Sequence, residues 1–352
     1  MTAIQRQLLP RDLSEDVNIS ISSGRDLVAS EFDGRDFNEL YALAFSRLTR
    51  EDPISFLRGD GAGLETVVML GTDQRDALLP ILRSEAKTLP DEARIFDIGC
   101  GDGRTTRHFL NECNKHVSIT LNDVNTEYLG AYKKMLRDEM NFVAIEDIHA
   151  APIDSLIDPR NRAAFDLSEN AFDYVLLLHS IYFTPEPGKL MDFALNLLKP
   201  GGRAAVVFAD EINGYTGRLI GRYQEQNAVQ SDYGNTVLAR HAIFASGGEG
   251  ANAKKTEDRL RQALKRDDFT CASAVRQNTR IYGVGFHDII AAGFITSFAQ
   301  IGSETIEKKI EHIAAELKND PEYYKLAIEV SGRRMGMISV EQPQFAYVFE
   351  KA

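Results

Sequence analysis

The sequence predicts an α/β protein built on a doubly wound, mostly parallel seven-stranded sheet, with an N-terminal helical cap and a helical lid insertion. Three observations predict it. Short β-rich runs alternate with helical stretches between residues 94 and 210, a glycine-crowded loop joins the first of these runs to a helix, and two further β-rich runs stand near the end of the chain. Alternation of this kind gives βαβ units, and such units build parallel sheets covered by helices.

Taken in order, residues 1–90 read as a mostly helical cap. "NELYALAFSRL" puts Leu40, Leu43, Ala44 and Leu48 at helical spacing, "QRDALLPILRSEAKTL" repeats the pattern, and Pro90 ends it. The core spans 91–210. Strands are expected at "RIFDIG", "VSITLND", "NFVAIED", "FDYVLLLHS" and "RAAVVFAD", with helices at 105–113, 126–140 and 188–198. "LKPGG" stops the last helix and turns the chain into the fifth strand. Residues 211–280 break the rhythm. They hold expected helices at 217–227 and 256–266 around the loop "ASGGEGANAKK", and an insertion this long is expected to be a lid over substrate. Residues 281–352 then return to the core with a helix at "FHDIIAAGF", a sixth strand at "ITSFAQI", helices at "ETIEKKIEHIAAEL" and 321–334, and a last strand at "QFAYVFEKA".

Composition narrows the function. The chain has 352 residues, a formal net charge of −12 and three cysteines, Cys100, Cys113 and Cys271. An acidic surface repels polyphosphate, so no nucleic-acid partner is expected. No apolar run is long enough for a membrane span, no secretory signal opens the chain, and the scattered cysteines form no disulfide framework. A cytoplasmic protein is expected. His108, Cys113 and His116 have no zinc-like spacing, so no metal is expected.

The loop "DIGCGDG" carries the functional argument. It lacks the Gly-Lys-Ser/Thr ending of a nucleotide-phosphate loop, and the dinucleotide pattern fails because Arg104 stands where the third glycine would be. Asp97 precedes Gly99, Gly101 and Gly103, Asp123 ends the second strand, and Asp147 ends the third as read from sequence. In an open parallel sheet, ligands bind beyond the carboxyl ends of the strands. Three acids there suit a cation bearing a ribose and an adenine. With "LLKPGGRAAVV" following, residues 94–210 resemble the class I S-adenosylmethionine-dependent methyltransferases, a Rossmann-like family. The resemblance implies S-adenosylmethionine as cofactor. Gly99, Gly101, Gly103 and Asp97 would lie at its methionine end, Asp123 at the ribose, and Asp147 with Ile148 at the adenine. A narrower likeness, to histamine N-methyltransferases, rests on "LYALAFSRL", "DVNTEYLGAYKK", "LLLHSIYF" and "FAYVFEKA". It places His179 where a side-chain amide is expected to meet substrate, Glu51 or Asp52 in the cap, and Gln342 or Gln344 ahead of the last strand.

Methyl transfer from a sulfonium asks chiefly for positioning, so a neutral amine needs no base while a hydroxyl does. His179, at the end of the apolar run "YVLLL", is the expected catalytic residue and substrate contact; the other reading is a histidine that hydrogen-bonds backbone. Tyr182 and Phe183 are expected to form an aromatic wall, with Tyr215 touching substrate from the insertion, where Tyr223, Tyr233 and Tyr282 also stand. His287 is read as a helix-start residue and Ser180 as a turn residue. The expected activity is methyl transfer to a small-molecule acceptor, an amine or ring nitrogen first. O-, S- or C-methylation of a small natural product, a non-methylating scaffold and a cyclase are the alternatives.

Overall fold

The structure is a computed structural model that describes residues 12–36, 39–40, 71–113, 115–161, 164–227, 232–244, 250–283, 285–294, 305–330 and 333–352. In chain order its elements are α1 (Asp12–Phe32), β1 (Gly71–Thr72), α2 (Gln74–Ala86), β2 (Ala93–Ile98), α3 (Arg104–Asn111), β3 (Val117–Asn122), α4 (Thr126–Glu139), β4 (Val143–His149) and α5 (Ile153–Ile157). There follow β5 (Phe172–Leu178), α6 (Pro187–Leu197), β6 (Leu198–Ala209), α7 (Tyr215–Asn227), α8 (Asp232–Phe244), α9 (Ala253–Leu264) and β7 (Phe269–Gln277). The chain closes with β8 (Arg280–Gly283), α10 (Phe286–Gly293), α11 (Ile306–Asn319), β9 (Tyr324–Val330), β10 (Arg333–Glu341) and β11 (Gln344–Lys351).

The chain divides into two compact units. One comprises Gln74–Asp210, Asp232–Asn278 and Pro343–Ala352, and the other is assembled from Met1–Asp73, Glu211–Ser231 and Thr279–Gln342. The first holds a seven-stranded sheet in the order β4-β3-β2-β5-β6-β11-β7. Its strands are parallel from β4 to β6, and β11 runs antiparallel to both β6 and β7. β7 therefore points the same way as β6, and the carboxyl ends of six strands share one edge with the start of β11.

Alternating side chains send each strand's residues to opposite faces, and both faces are covered. Phe96, Ile98, Val175, Leu177, Val206 and Phe208 pack under α5, α6, α8 and α9. Ile95, Ile119, Leu121, Tyr174, Leu176 and Val207 pack under α2, α3 and α4. Near-continuous apolar strands such as "YVLLL" follow from this double burial. "LKPGG", read as a helix stop and tight turn, does end α6, but it lies inside β6 as an irregular stretch: Leu198 pairs with Phe172, the next pairing is Arg203 with Tyr174, and Gly201 has φ +78°.

Several expectations are corrected. The seventh strand of the sheet is β7, at 269–277, inside the stretch read as an insertion; "ITSFAQI" lies outside the described residues. β7 is an edge strand with a mixed burial pattern and small residues, "FTCASAVRQ", so its apolar signal is weak. The block 211–280 is not one body, because 211–231 and 232–278 belong to different units. Nor are 1–90 and 281–352 single bodies: α2 joins the sheet unit, and 279–342 separates from the β11 segment. The helix expected at 321–334 is a 3₁₀ turn, Pro321–Tyr323, followed by the antiparallel pair β9–β10, since "YKLAIEV" carries period-two alternation. These strands belong to the second unit's sheet, ordered β1-β8-β10-β9. That unit's interior holds Tyr215, Leu219, Ile289, Ile290, Ile313, Leu317 and Tyr323. Among the described residues, no helix is long and apolar enough to cross a membrane.

The sheet's stability rests on its central strands. Leu176, on β5 and fully buried, is expected to cost about 2–5 kcal/mol when cut to alanine. Urea unfolding checks this, with a lower midpoint and an unchanged slope as the expected result.

Candidate functional site

The glycine loop leaves β2 in a conformation that side chains resist. Gly99, Gly101 and Gly103 have φ of +66°, +56° and +77°. A Cβ on Gly99 would stand 2.4 Å from the Ser180 Cβ, and one on Gly103 would stand 2.3 Å from the Tyr132 ring. Glycine is required at both positions by conformation and by contact. Hydrogen bonds fasten the loop to β3. The Cys100 N–H donates to the Asn122 carbonyl at 2.8 Å, and the Gly101 N–H donates to Asp123 Oδ2 at 2.9 Å. Asp123 Oδ1 accepts the Asn125 N–H at 2.8 Å. Each Asp123 oxygen thus has one backbone donor and retains a lone pair for a ligand hydroxyl.

Beneath the loop, Asp97 is buried and accepts the Thr106 hydroxyl at 2.6 Å and the Tyr132 hydroxyl at 3.3 Å. Burial pushes its carboxyl up to about 7; the two hydroxyls oppose the rise and the charge on Asp123 adds to it. Asp102 is paired with Arg104 at 2.8 Å. Ser180 Oγ, buried against Gly99, has no hydrogen-bond partner among the described residues. Clustered acids, a strained glycine loop and an orphaned hydroxyl form a cradle suited to a cationic, hydroxyl-bearing ligand.

The third expected acid is not at a strand end. β4 continues to His149, whose carbonyl receives the Asp123 N–H at 3.3 Å, so His149 is level with Asp123. Asp147 lies two residues earlier with its side chain 54% exposed, and its Oδ1 accepts the N–H of Ile148 at 2.7 Å. Ile148 packs against the α4 side of the core. The bulge between Ile119 and Thr120 in the β3–β4 pairing shifts the register by one residue and extends the strand past the acid.

At the end of β5, His179 takes a left-handed backbone with φ +58°, unusual for a non-glycine residue. Its Nδ1 is 3.1 Å from the Tyr182 hydroxyl and its Nε2 is 3.0 Å from Gln344 Oε1. Gln344 Nε2 donates to the Gln74 carbonyl at 2.7 Å and to Gln277 Oε1 at 2.6 Å. The Tyr182 hydroxyl also receives the Ala209 N–H, and Arg240 stands 5.0 Å over the Tyr182 ring. Burial lowers the His179 imidazole to about 4, with the Gln344 hydrogen bond opposing. At neutral pH this histidine is uncharged.

The structure therefore brings together His179, Tyr182 and the glycine loop on one unit, with Phe183 45% exposed nearby in the chain. Tyr215 is corrected. It belongs to the other unit's interior, where its hydroxyl donates to the Ile289 carbonyl at 3.1 Å and its ring meets Tyr323 edge-on. Tyr282 likewise spends its hydroxyl on Asp73 at 3.1 Å. Glu51 and Asp52 lie outside the described residues. Of the two amides expected ahead of the last strand, Gln344 reaches His179, whereas Gln342 accepts from Thr216. Gln74 and Gln277 were not found from sequence, because only the sheet order brings the ends of β7 and β5 to the same edge. Among the described residues, no group of three or more histidine, cysteine or acidic side chains is placed to hold a metal.

Asp97 and His179 give opposite pH linkages. The raised Asp97 adds stability that is complete below about pH 4 and is lost as pH rises through about 7. The lowered His179 adds stability that is present above its unfolded value near 6.5 and is lost as pH falls through about 4. Between pH 4.5 and 6.5 the two slopes cancel. Asp97→Asn is expected to make stability rise with pH, relative to wild type, by about 1.4 kcal/mol per unit. His179→Gln is expected to make it fall at the same rate. Urea titrations at the two pH values read both.

Residues 96–204 match the protein family described as "Methyltransferase domain". A reducing polyketide synthase of Penicillium is 24% identical over 185 residues, which cover 50% of this chain and 7% of that protein. The chain thus spans a small fraction of that relative's length. Among solved structures, a candidate methyltransferase from Bacillus halodurans C-125 has a TM-score of 0.47 and 13% identity, covering 78% of this chain and 98% of its own. The YcgJ protein from Bacillus subtilis has a TM-score of 0.44 and 13% identity, covering 78% and 97%. The plantazolicin methyltransferase BamL, solved with a desmethyl-plantazolicin analogue and S-adenosylhomocysteine, has a TM-score of 0.39 and 12% identity, covering 96% and 98%. Residues 96–204, which carry the glycine loop and the parallel strands from β2 to β5, thus match a methyltransferase domain.

Proposed function

We propose that the enzyme methylates a small-molecule acceptor that arrives uncharged, a ring nitrogen or neutral amine first. One observation carries this reading: His179, beside the glycine loop in the chain's fold, has both ring nitrogens engaged and is neutral at pH values well above about 4. A group of that basicity does not strip a proton from an ammonium or a phenol ahead of transfer. A nitrogen lone pair needs no such step. Three cysteines without disulfides are in keeping with a reducing cytoplasm.

In this reading Gly99, Gly101 and Gly103 border the methionine end of the cofactor, Asp97 and the Ser180 hydroxyl lie behind it, and Asp123 takes the ribose hydroxyls with its remaining lone pairs. Neither Asp147 nor Ile148 is assigned to the adenine, since one is turned outward and the other is packed inward. Bound S-adenosylmethionine supplies an electrophilic methyl group on a sulfonium. The chain's own contribution is to hold the acceptor nitrogen in line, with Tyr182 and Phe183 as an aromatic wall beside it. Positioning of this kind is worth about 7–11 kcal/mol of barrier.

A second reading follows from the polyketide synthase match. Polyketides present activated methylene carbons between carbonyls, and carbon methylation of such a chain requires removal of a proton. Labelled S-adenosylmethionine incubated with N-heterocycles, tertiary amines, phenols and β-ketoacyl thioesters separates the two. Label in the nitrogen compounds supports the first reading; label confined to the thioesters replaces it with the second. Asp123→Ala is expected to weaken S-adenosylmethionine binding about 10–100-fold, read by calorimetry. Unchanged affinity would remove Asp123 from the ribose.

A further inference from the structure

The second unit contains an arginine whose charge its neighbours leave unanswered. Arg218 and Arg222 stand one turn apart on α7 and face the same ring: their guanidinium carbons lie 4.6 and 5.0 Å from the centroid of Tyr323, in the 3₁₀ turn Pro321–Tyr323. The two are held differently. Arg222 donates to Glu316 at 2.8 Å and to Asp320 at 2.7 Å, so two carboxylates neutralise it. Arg218 is half-buried, its Nε is buried without a hydrogen-bond partner, and its guanidinium pairs with no acid among the described residues. The acid that feels its charge is Glu341 on β10, and that carboxylate is engaged by Arg280 at 2.9 Å and by Lys325 at 3.1 Å. The Lys325 hydrogen bond does most to hold Glu341 below the ordinary carboxyl value, and Arg218 adds to it from beyond contact. The Tyr323 hydroxyl, buried in the same cluster, also has no partner among the described residues, while Tyr215 meets its ring edge-on at 6.1 Å. Two orphaned donors around one stacked guanidinium mean that the cluster is short of acceptors. A buried donor without an acceptor costs about 1–3 kcal/mol, and a bound ligand or ion is one way such a shortage is met.

We propose that Arg218 anchors a carboxylate-binding site on the second unit, with the Tyr323 ring as its platform. Attraction to an aromatic face uses the charge of a guanidinium and leaves its N–H groups available for hydrogen bonds. Because Nε is enclosed, Nη1 and Nη2 are the donors that a ligand meets, and a carboxylate accepts two parallel bonds from such a pair. Its single negative charge matches the single cation. A phosphate dianion fits less well, since Glu341 acts on the same position and repels the second charge. Arg222 does not compete for the ligand, because Glu316 and Asp320 already hold it against the ring. The ligand is therefore a small organic acid, or a larger molecule that presents one carboxylate. This site belongs to the unit without the glycine loop, so it stands whichever acceptor is methylated.

Nitrogen-15 NMR of the arginine side chains in the full-length protein tests this with sodium acetate as the probe, at an ionic strength held constant with sodium chloride. The Arg218 signal is expected to shift saturably, with a Kd on the order of 1–10 mM, while the Arg222 signal moves little because its donors are taken. Inorganic phosphate, titrated in the same way, is expected to bind more weakly than acetate. Arg218→Gln identifies the signal by removing it, and it is expected to abolish the rise in melting temperature that acetate gives over chloride. Arg218→Lys keeps the charge without the planar fork and is expected to weaken acetate about 10-fold. No saturable shift at Arg218, an equal response to chloride, phosphate binding tighter than acetate, or an Arg218→Gln protein with an unchanged acetate response overturns the proposal. If Arg218→Gln does not fold, Arg218→Lys identifies the signal and the wild-type titration decides.

Discussion

Everything functional in the sheet unit follows from burial on both sheet faces. Once helices cover both faces, side chains in the body of a strand are committed to packing, and only the strand ends are free to meet a ligand. Because β2 through β7 all run one way, their carboxyl ends share a single edge, and the antiparallel β11 brings its first residue there as well. The glycine loop, Asp123, His179, Asp210, Gln277 and Gln344 are therefore neighbours along one line, although they are scattered over 246 positions of sequence, from Gly99 to Gln344. Asp210 shows how closed that edge is: fully buried, it is held by Arg276 of β7 at 3.2 Å, and its N–H donates to the Pro343 carbonyl at 2.7 Å.

What was legible in the sequence was what local chemistry dictates. A glycine with positive φ, an apolar strand buried on both faces and the helix stop at "LKPGG" each leave a mark within a few residues, so β2 to β5 and the helices α3, α4 and α6 are placed within two residues of expectation, while β6 begins five residues earlier than read and the short α5 was not read. β7 left little mark, because an edge strand of small residues needs no apolar run. The division into units was also hidden, since chain passages between bodies at 73/74, 210/211, 231/232, 278/279 and 342/343 carry no compositional signature. At the site the same contrast holds. Gly99, Gly101, Gly103, Asp97, Asp123 and His179 stand where expected. Asp147 misses its place by the one-residue bulge in β4, and Tyr215, judged only by being an aromatic residue in a long insertion, belongs to a different interior.

The two halves of the edge differ in electrostatic character for physical reasons. On the β2–β3 side, Asp123 accepts a glycine-loop N–H and Asp97 lies buried beneath the loop, where burial raises its carboxyl because the negative form there lacks water. A cation arriving at such a site relieves the penalty, which is why an acid of this kind and a sulfonium-bearing cofactor belong together. On the β5–β11 side the groups are amides, a phenol and an imidazole, and burial again disfavours charge, here by pushing the imidazole down. A positive ligand relieves the burial penalty on the first side; on the second, burial favours the neutral form of the imidazole.

That asymmetry bears on the proposed methyl transfer. With a nitrogen acceptor, positive charge would begin on the cofactor beside the acidic half of the edge and end on the product beside the neutral half. The hydrogen-bonded series from Tyr182 through His179 to Gln344 runs between two backbone groups that cannot reverse their roles, the Ala209 N–H and the Gln74 carbonyl. Side chains in the middle of such a series are free to rotate in isolation, but a donor fixed at one end and an acceptor fixed at the other leave them a single arrangement. The left-handed backbone of His179 is consistent with this: a strained residue persists where its surroundings over-determine it, and here both ring nitrogens and the main-chain N–H, donated to Val207 at 2.9 Å, are all committed.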